Sequence, residues 1–232
     1  MPDRYYSAEP IQGSTATLSG SEAHHLLHVM RAKPGLQLIL FDGQGGQYEA
    51  ELTHCGRSTV DLALRGPRQD IEREHPFQLS LAVALPKGDR QRWLIEKAVE
   101  LGVSRLVPLQ TARATVGSEQ ASPKLERYII EASKQCGRNR LMQLAVPLKL
   151  ADLLNEEESA TRILAHPGGP PLAELQLTAT ENRCLAIGPE GGFTDDEVTQ
   201  AIEAGWKTVG LGSRILRLET AAIALVSALV LR

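Results

Sequence analysis

The chain has 232 residues, 42% of them hydrophobic, enough for two modest domains or one large one with a real core. Its three cysteines, Cys55, Cys136 and Cys184, are odd in number, far apart and without a C-x-x-C spacing, which suggests neither a disulfide framework nor a thiolate zinc site and fits a reducing cytosol. A net charge of −3 argues against a strongly basic nucleic-acid binder, residues 1–10 hold no apolar core of signal-peptide length, and the longest apolar run, residues 221–231, is shorter than the ~18 residues of a membrane span, so a soluble, cytoplasmic protein is expected.

Residues 1–72 read as mainly β with one helix. Short strands at 36–41 and 48–53 flank the turn Asp42-Gly43-Gln44-Gly45-Gly46, a strong hairpin signal, and 59–64 continues in that style. The run at 21–31 places Leu26, Leu27, Val29 and Met30 on one helical stripe, stopped by Lys33-Pro34-Gly35. A small barrel with one packed helix is the natural assembly. Residues 68–76 are polar, charged and end in proline, which reads as a linker.

After the linker, strand and helix alternate. Strands are expected at 78–85, 105–109, 144–146, 162–165, 184–187 and 208–211, and helices at 89–101, 123–136, 150–157, 194–204 and 218–231. The helix at 194 opens with a capping box, Thr194-Asp195-Asp196-Glu197, and stops at Gly205. The last helix is apolar on nearly every side, so it belongs in a core or a subunit interface. Alternation of this kind predicts an α/β domain with a mostly parallel sheet.

Charge is unevenly spread along the chain. Residues 76–150 carry 12 Lys and Arg against 6 Asp and Glu, whereas residues 1–75 carry 7 against 10 and residues 151–232 carry 6 against 12. A local basic surface can hold polyphosphate on an acidic protein, because screening confines its field to roughly 8–10 Å. Solvated helix faces explain the same excess. Within it, residues 131–140 set Lys134, Arg138, Asn139 and Arg140 around a helix end, where guanidinium groups can bind phosphate and an amide can read a base edge. Cations placed at a helix C-terminus are the plainer explanation.

Two glycine-bearing loops stand at strand ends near the C-terminus. The first is Ile187-Gly188-Pro189-Glu190-Gly191-Gly192, whose side-chain-free positions let backbone N–H and C=O groups approach a bound purine or carboxylate. A tight turn that needs glycine only for positive φ is the alternative. The second, Leu211-Gly212-Ser213-Arg214-Ile215-Leu216-Arg217-Leu218-Glu219-Thr220, interleaves charges with apolar side chains; an internal Arg–Glu pair holding the turn is its plainer reading. A Rossmann loop is excluded, because the first strand of the domain runs into Leu85-Pro86-Lys87-Gly88-Asp89, and no P-loop, G-x-S-x-G or kinase signature is present. His24 and His28 stand one helical turn apart without a third ligand or the H-E-x-x-H glutamate, so no metal is expected.

Taken together, Arg4-Tyr5-Tyr6, residues 25–35 (HLLHVMRAKPG), the FDG turn, residues 96–103 (EKAVELGV), residues 131–140 (EASKQCGRNR), IGPEGGF and LGSRILRLET resemble the bacterial 16S rRNA uridine-N3 methyltransferases of the SPOUT superfamily. The resemblance implies an α/β chain with a PUA-like β-barrel RNA-binding domain at 1–72 and a SPOUT α/β trefoil-knot methyltransferase domain at 73–232. It also implies S-adenosylmethionine as cofactor, 16S rRNA of the small ribosomal subunit as partner, and a homodimer with active sites near the interface. The cofactor loops carry over onto Leu164, His166 and Pro167, onto Ile187 to Gly192, and onto Leu211, Gly212, Ile215, Leu216 and Leu218. RNA contacts fall on Arg4, Arg31, Lys134 and Arg140.

Under that resemblance, methyl transfer to uridine N3 needs the imide proton removed and the developing anion stabilised. Arg138, Asn139 and Arg217 are candidate donors toward O2 or O4, and Glu190 or Glu219 the proton acceptor. Two other functions stay open: a non-catalytic RNA-binding assembly factor, and the same cofactor chemistry on tRNA ribose.

Overall fold

The computed structural model describes residues 3–11, 13–71, 73–114 and 123–231. They form two compact units, one of Met1–Arg73 with Ser133–Leu141 and one of Glu74–Ala132 with Met142–Arg232.

The first unit contains β1 (Arg4–Tyr6), β2 (Thr15–Leu18), α1 (Gly20–His24), β3 (Gln37–Phe41), β4 (Gly46–Cys55), β5 (Val60–Leu64) and β6 (Gln69–Asp70). The strands form a half-barrel sheet ordered β1-β3-β4-β5-β2, with β6 paired to β4. The period-2 pattern puts Leu38, Leu40, Leu52, Val60 and Leu62 on one face, where they meet Tyr5, Ala23 and Leu26. Each such side chain contributes roughly 1.5–3 kcal/mol by leaving water. At the hairpin turn the Asp42 carboxylate accepts the N–H groups of Gln44 (2.8 Å) and Gly46 (3.0 Å), while Gly43 and Gly45 adopt φ of 73° and 112°.

Two expectations change in this unit. The single helix over 21–31 is instead α1 followed by a π-helical turn, His25–Val29, in which the Met30 N–H donates to the His25 carbonyl at 2.9 Å. The wider turn breaks the stripe: Leu26 stays fully buried, but Val29 and Met30 turn outward and are 62% and 46% exposed. The linker at 68–76 also contains structure, because Gln69–Asp70 pair antiparallel with Gly46 and Gln47 of β4. Its residue 72 lies outside the described residues.

Residues 133–141 build onto the hairpin turn of this unit. The Leu141 N–H donates to the Gly43 carbonyl (2.9 Å) and the Gly45 N–H to the Asn139 carbonyl (3.1 Å). Lys134 pairs with Glu22 at 3.1 Å.

The second unit comprises β7 (Leu79–Val83), α2 (Asp89–Glu100), β8 (Arg105–Gln110), the first part of α3 (Pro123–Cys136), β9 (Gln143–Leu144), β10 (Leu148–Lys149), α4 (Leu150–Glu156), β11 (Thr161–Ala165), β12 (Arg183–Ile187), α5 (Asp195–Glu203), β13 (Lys207–Val209) and α6 (Leu218–Val230). The described strands form one parallel sheet, ordered β10-β8-β7-β12-β11-β13 with β9 beside β8. Strands β7 and β12 are buried along their whole length, as strands covered on both faces must be. The one strand expected at 144–146 is replaced by two two-residue pieces either side of Pro147, which has no N–H to give a ladder.

Helix α5 carries the expected capping box: the Glu197 N–H donates to Thr194 Oγ1 (3.1 Å) and the Thr194 N–H to Glu197 Oε2 (2.8 Å). Helix α6 buries Ala222, Leu225, Val226 and Leu229 on one face, while Ala224 is exposed and Ile223 and Ala228 half-buried, so its all-round apolarity is only partly used. Burial, with Glu157 nearby, pushes the Cys184 thiol well above its ordinary range, which keeps it protonated and inert. No described helix is long and apolar enough to cross a membrane.

Candidate cofactor cavity

The loops that follow β11, β12 and β13 leave the same edge of the parallel sheet, where ligands of open α/β sheets are commonly held. Together they enclose a cavity of about 290 Å³, close to the lower end of the range of roughly 300–1,000 Å³ for small-molecule sites. The first loop lends Ala165, His166 and Pro167; the second lends Ile187, Gly188, Pro189, Glu190, Gly191 and Gly192. The third lends Val209, Leu211, Gly212, Arg214, Ile215 and Leu216 and continues into α6 with Leu218 and Ala221.

Backbone contacts fix the loops to one another. The His166 N–H donates to the Val209 carbonyl (2.9 Å) and the Gly210 N–H to the Pro170 carbonyl (2.8 Å). Here the chains pass so closely that a Cβ on Gly169 would lie 2.7 Å from the Val209 carbonyl carbon, and one on Gly210 2.5 Å from the Gly169 oxygen. Within the second loop, Gly192 has φ of 69° and so satisfies the positive-φ reading. Gly188 does not; a Cβ there would come within 3.2 Å of the Gly192 carbonyl carbon and the Phe193 ring, so close approach is what excludes a side chain.

Nearly every residue expected to hold the methyl donor lines this cavity. Leu164 is the correction: it is fully buried and packs in the sheet core with Ala186 and Trp206, and its neighbour Ala165 takes the cavity position. In a strand covered on both faces, no polar alternation marks which side chain faces which way. Sequence reasoning also missed Val209 and Ala221, and used Arg214 only as part of the loop motif; all three line the cavity.

Charged groups gather at the second and third loops. Arg90, from the first turn of α2, places Nη1 3.0 Å from Glu190 Oε1 and 3.9 Å from Glu219 Oε2. Glu219 is 7% exposed and its Oε2 makes no hydrogen bond. The arginine beside Glu219 is therefore Arg90 of α2 and not one of the loop's own, as the internal-pair reading had it. Arg113 approaches from the other side, its Nη1 donating to the carbonyls of Gly191 (2.8 Å) and Phe193 (3.2 Å). Neither Arg90 nor Arg113 was legible, since Arg90 lies 100 residues from Glu190 and Arg113 lies 78 from Gly191. Arg217 is exposed at the N-cap of α6, beside the cavity residues Leu216 and Leu218 in sequence.

The other candidates lie in the first unit. Arg138 and Asn139 are buried there, 4% and 2% exposed, and do not line the cavity. The Asn139 side chain donates to Gln47 Oε1 (3.3 Å) and accepts from Arg4. Arg4 also donates to Gln47 (3.0 Å) and lies 5.2 Å from the Phe41 ring centre; burial, then the nearby Arg73 guanidinium, lowers its pKa from the usual arginine value. Lys134 pairs with Glu22 and lies 5.3 Å from the Tyr5 ring centre. These internal contacts engage Arg4 and Lys134, whereas Arg31 and Arg140 are exposed. His24 and His28 sit with ring centroids 4.7 Å apart, and the described residues contain no group of three metal-ligating side chains.

The cavity fits a nucleoside-bearing methyl donor: Ile187, Leu211, Leu216 and Leu218 offer apolar walls, and the glycine positions expose backbone donors and acceptors. The RNA methyltransferase domain family matches residues 73–230 and the RNA methyltransferase PUA domain family matches residues 18–64. The chain is 34% identical over 224 residues to ribosomal RNA small subunit methyltransferase E of Synechocystis sp., covering 92% of this chain and 72% of the relative. It is 31% identical over 233 residues to the Bacillus subtilis enzyme of the same name, covering 94% and 90%. Among solved structures, a Legionella pneumophila methyltransferase with SAM bound superimposes with TM-score 0.91 at 31% identity, covering 99% of this chain and 97% of that one. Ribosomal RNA small subunit methyltransferase E of Neisseria gonorrhoeae, bound to S-adenosyl methionine, gives 0.89 at 29%, covering 98% and 96%. With matches that run from the half-barrel through the three-loop cavity, the chain belongs to the ribosomal RNA small subunit methyltransferase E family.

Proposed function

We propose that this protein uses S-adenosylmethionine to methylate N3 of a uridine in 16S rRNA of the small ribosomal subunit. The observation that carries the reading is the cavity formed by the three loops, in a chain similar to structures that hold this cofactor. When bound, the cofactor supplies a methyl group activated by its sulfonium.

The chain's own residues do the rest. Apolar side chains of the second and third loops exclude water, and the glycine backbone orients the ligand at close range. Arg217, exposed at the start of α6, reaches toward the O2 or O4 oxygen of the incoming base and stabilises the charge that grows as N3 gives up its proton. Of the two carboxylates we assign the proton to Glu219, whose buried Oε2 makes no hydrogen bond and stands 3.9 Å from Arg90, whereas Glu190, which lines the cavity, is held by Arg90 at 3.0 Å. Asn139 acts instead within the RNA-binding unit, where its side chain holds Arg4 and Gln47 in place, and Arg138 is buried beside it in sequence. Arg31 and Arg140, both exposed, supply phosphate contacts.

The test is methyl transfer to small subunits from a strain lacking the gene, with the product mapped by mass spectrometry. Wild type is expected to add one methyl at uridine N3, and Glu219→Gln to slow the reaction about 100-fold, with Glu190→Gln closer to wild type. No methylation with intact cofactor binding would favour the RNA-binding assembly factor, and a methylated ribose would move the chemistry to the sugar. Full rate in both glutamine variants would remove the carboxylates from proton transfer.

We also propose a homodimer, supported by the apolar face of α6 that the second unit leaves partly uncovered. Sedimentation equilibrium is expected to give twice the chain mass; a monomer at micromolar concentration would refute it.

A further inference from the structure

In the second cavity loop, Ile187, Gly188 and Pro189 are buried, whereas Glu190 and Gly191 are exposed and Gly191 and Gly192 offer no side chain for packing. The Gly192 N–H to Pro189 carbonyl bond (2.8 Å) ties this tip from within. Each backbone residue ordered on binding a ligand costs about 1–2 kcal/mol, so a tip held in place beforehand binds more tightly.

Two guanidinium groups from outside the loop meet it. Arg90, at the start of α2, holds the Glu190 side chain at 3.0 Å and stands 3.9 Å from Glu219 at the start of α6. Arg113, beyond the end of β8, binds main chain, not side chain: one nitrogen donates to the carbonyls of Gly191 and Phe193, and its aliphatic stem covers the open face of Gly191, where an added Cβ would meet Arg113 Cδ at 3.4 Å. The segment carrying Arg113 is itself tied to the helix after the loop, because the Ala112 N–H donates to Glu197 Oε1 at 2.8 Å. That carboxylate also closes the capping box of α5, so the loop, its helix and the segment after β8 form one hydrogen-bonded assembly.

We infer that Arg90 and Arg113 are positioning residues that pre-organise the glycine loop for the methyl donor, one through the Glu190 side chain and one through the Gly191 and Phe193 carbonyls. The inference rests on the proposed use of S-adenosylmethionine. Arginine suits both places, since it stays charged and presents several donors in a fixed plane. Both side chains are exposed, so their removal leaves no buried polar group in the core.

The experiment is isothermal calorimetry with S-adenosylmethionine and with S-adenosylhomocysteine on wild type, Arg90→Gln, Arg113→Gln, the double variant and Arg113→Lys. Each Gln variant is expected to bind about tenfold more weakly and the double variant more weakly than either, with Arg113→Lys recovering part of the loss. In Arg113→Gln, KM for the cofactor should rise while kcat at saturating cofactor and KM for RNA stay near wild type. In protein without cofactor, amide exchange at Gly192 should quicken in Arg113→Gln, with unchanged exchange in β7 and β12. Unchanged affinity in the double variant, while wild type binds, overturns the clamp and leaves the methyltransferase reading intact. A raised KM for RNA with unchanged cofactor affinity also overturns it, by assigning these arginines to phosphate. A wild type that binds neither ligand overturns both readings.

Discussion

Gly169→Ala is expected to abolish cofactor binding and to lower stability by about 3 kcal/mol, the upper part of the range for overpacking. Its new methyl would lie 2.7–2.9 Å from the N, Cα and carbonyl C of Val209, all backbone atoms of the strand that feeds the third loop. Backbone cannot rotate away as a side chain can. The first and third loops would have to separate, stretching the Gly210 N–H to Pro170 and His166 N–H to Val209 bonds and displacing the cavity walls with them. Gly168→Ala is the control, because its Cβ would meet only the His166 ring, at 3.3 Å, and a side chain can yield. Denaturant titration and calorimetry on the two variants decide the matter; wild-type binding by Gly169→Ala would show that the loops do not need this contact.

The second large effect belongs to Arg183, at the first position of β12. It is 4% exposed, donates to the Leu229 carbonyl at 2.6 Å and to the Thr178 carbonyl at 2.9 Å, and sits 3.9 Å from the Phe77 ring centre. One guanidinium thus caps the end of α6, where the helix dipole favours a cation, and anchors the strand whose far end becomes the glycine loop. Arg183→Met keeps the bulk and loses charged hydrogen bonds and a desolvated ring contact, an expected cost of about 3 kcal/mol. Arg183→Lys, which cannot span two carbonyls in one plane, should recover less than half. Thermal unfolding measures both, and a Met variant as stable as wild type would mean that the charge is not needed to close α6.

What the sequence made legible follows from how local each signal is. The hairpin turn at Asp42-Gly43-Gln44-Gly45-Gly46, the capping box of α5 and the two cavity loops are written in short stretches, each with its own chemistry, and the structure forms all of them. Leu164 shows the limit of such reading, since a strand buried on both faces carries no mark of which residue turns toward a ligand. The π-helical turn at His25–Val29 lay beyond a 3.6-residue template, which put Val29 and Met30 on the buried stripe.

The basic excess of residues 76–150 was legible as a number and not as a surface. Much of it is spent at short range: Arg92 pairs with Glu96 at 2.6 Å, Lys97 with Glu100 at 2.6 Å, and Arg90 and Arg113 on the glycine loop. The first two pairs are one helical turn apart and follow from spacing, whereas the partners of Arg90 and Arg113 are distant in sequence and spacing does not encode them. The same holds for Arg4, Lys134 and Asn139, read as RNA or base ligands and found bound to one another's neighbourhood across more than a hundred residues.

The membership of residues 133–141 in the first unit bears on how the nascent protein matures. A ribosome that has made only the opening 73 residues has not yet supplied Asn139 to receive Arg4, Lys134 to neutralise Glu22, or the backbone that docks on Gly43 and Gly45. That half-barrel must wait, unfinished, while β7, α2 and β8 emerge behind it. Birth order and folding order therefore diverge in this chain, and a gene cut at the apparent boundary would yield a front piece deprived of its own last strap.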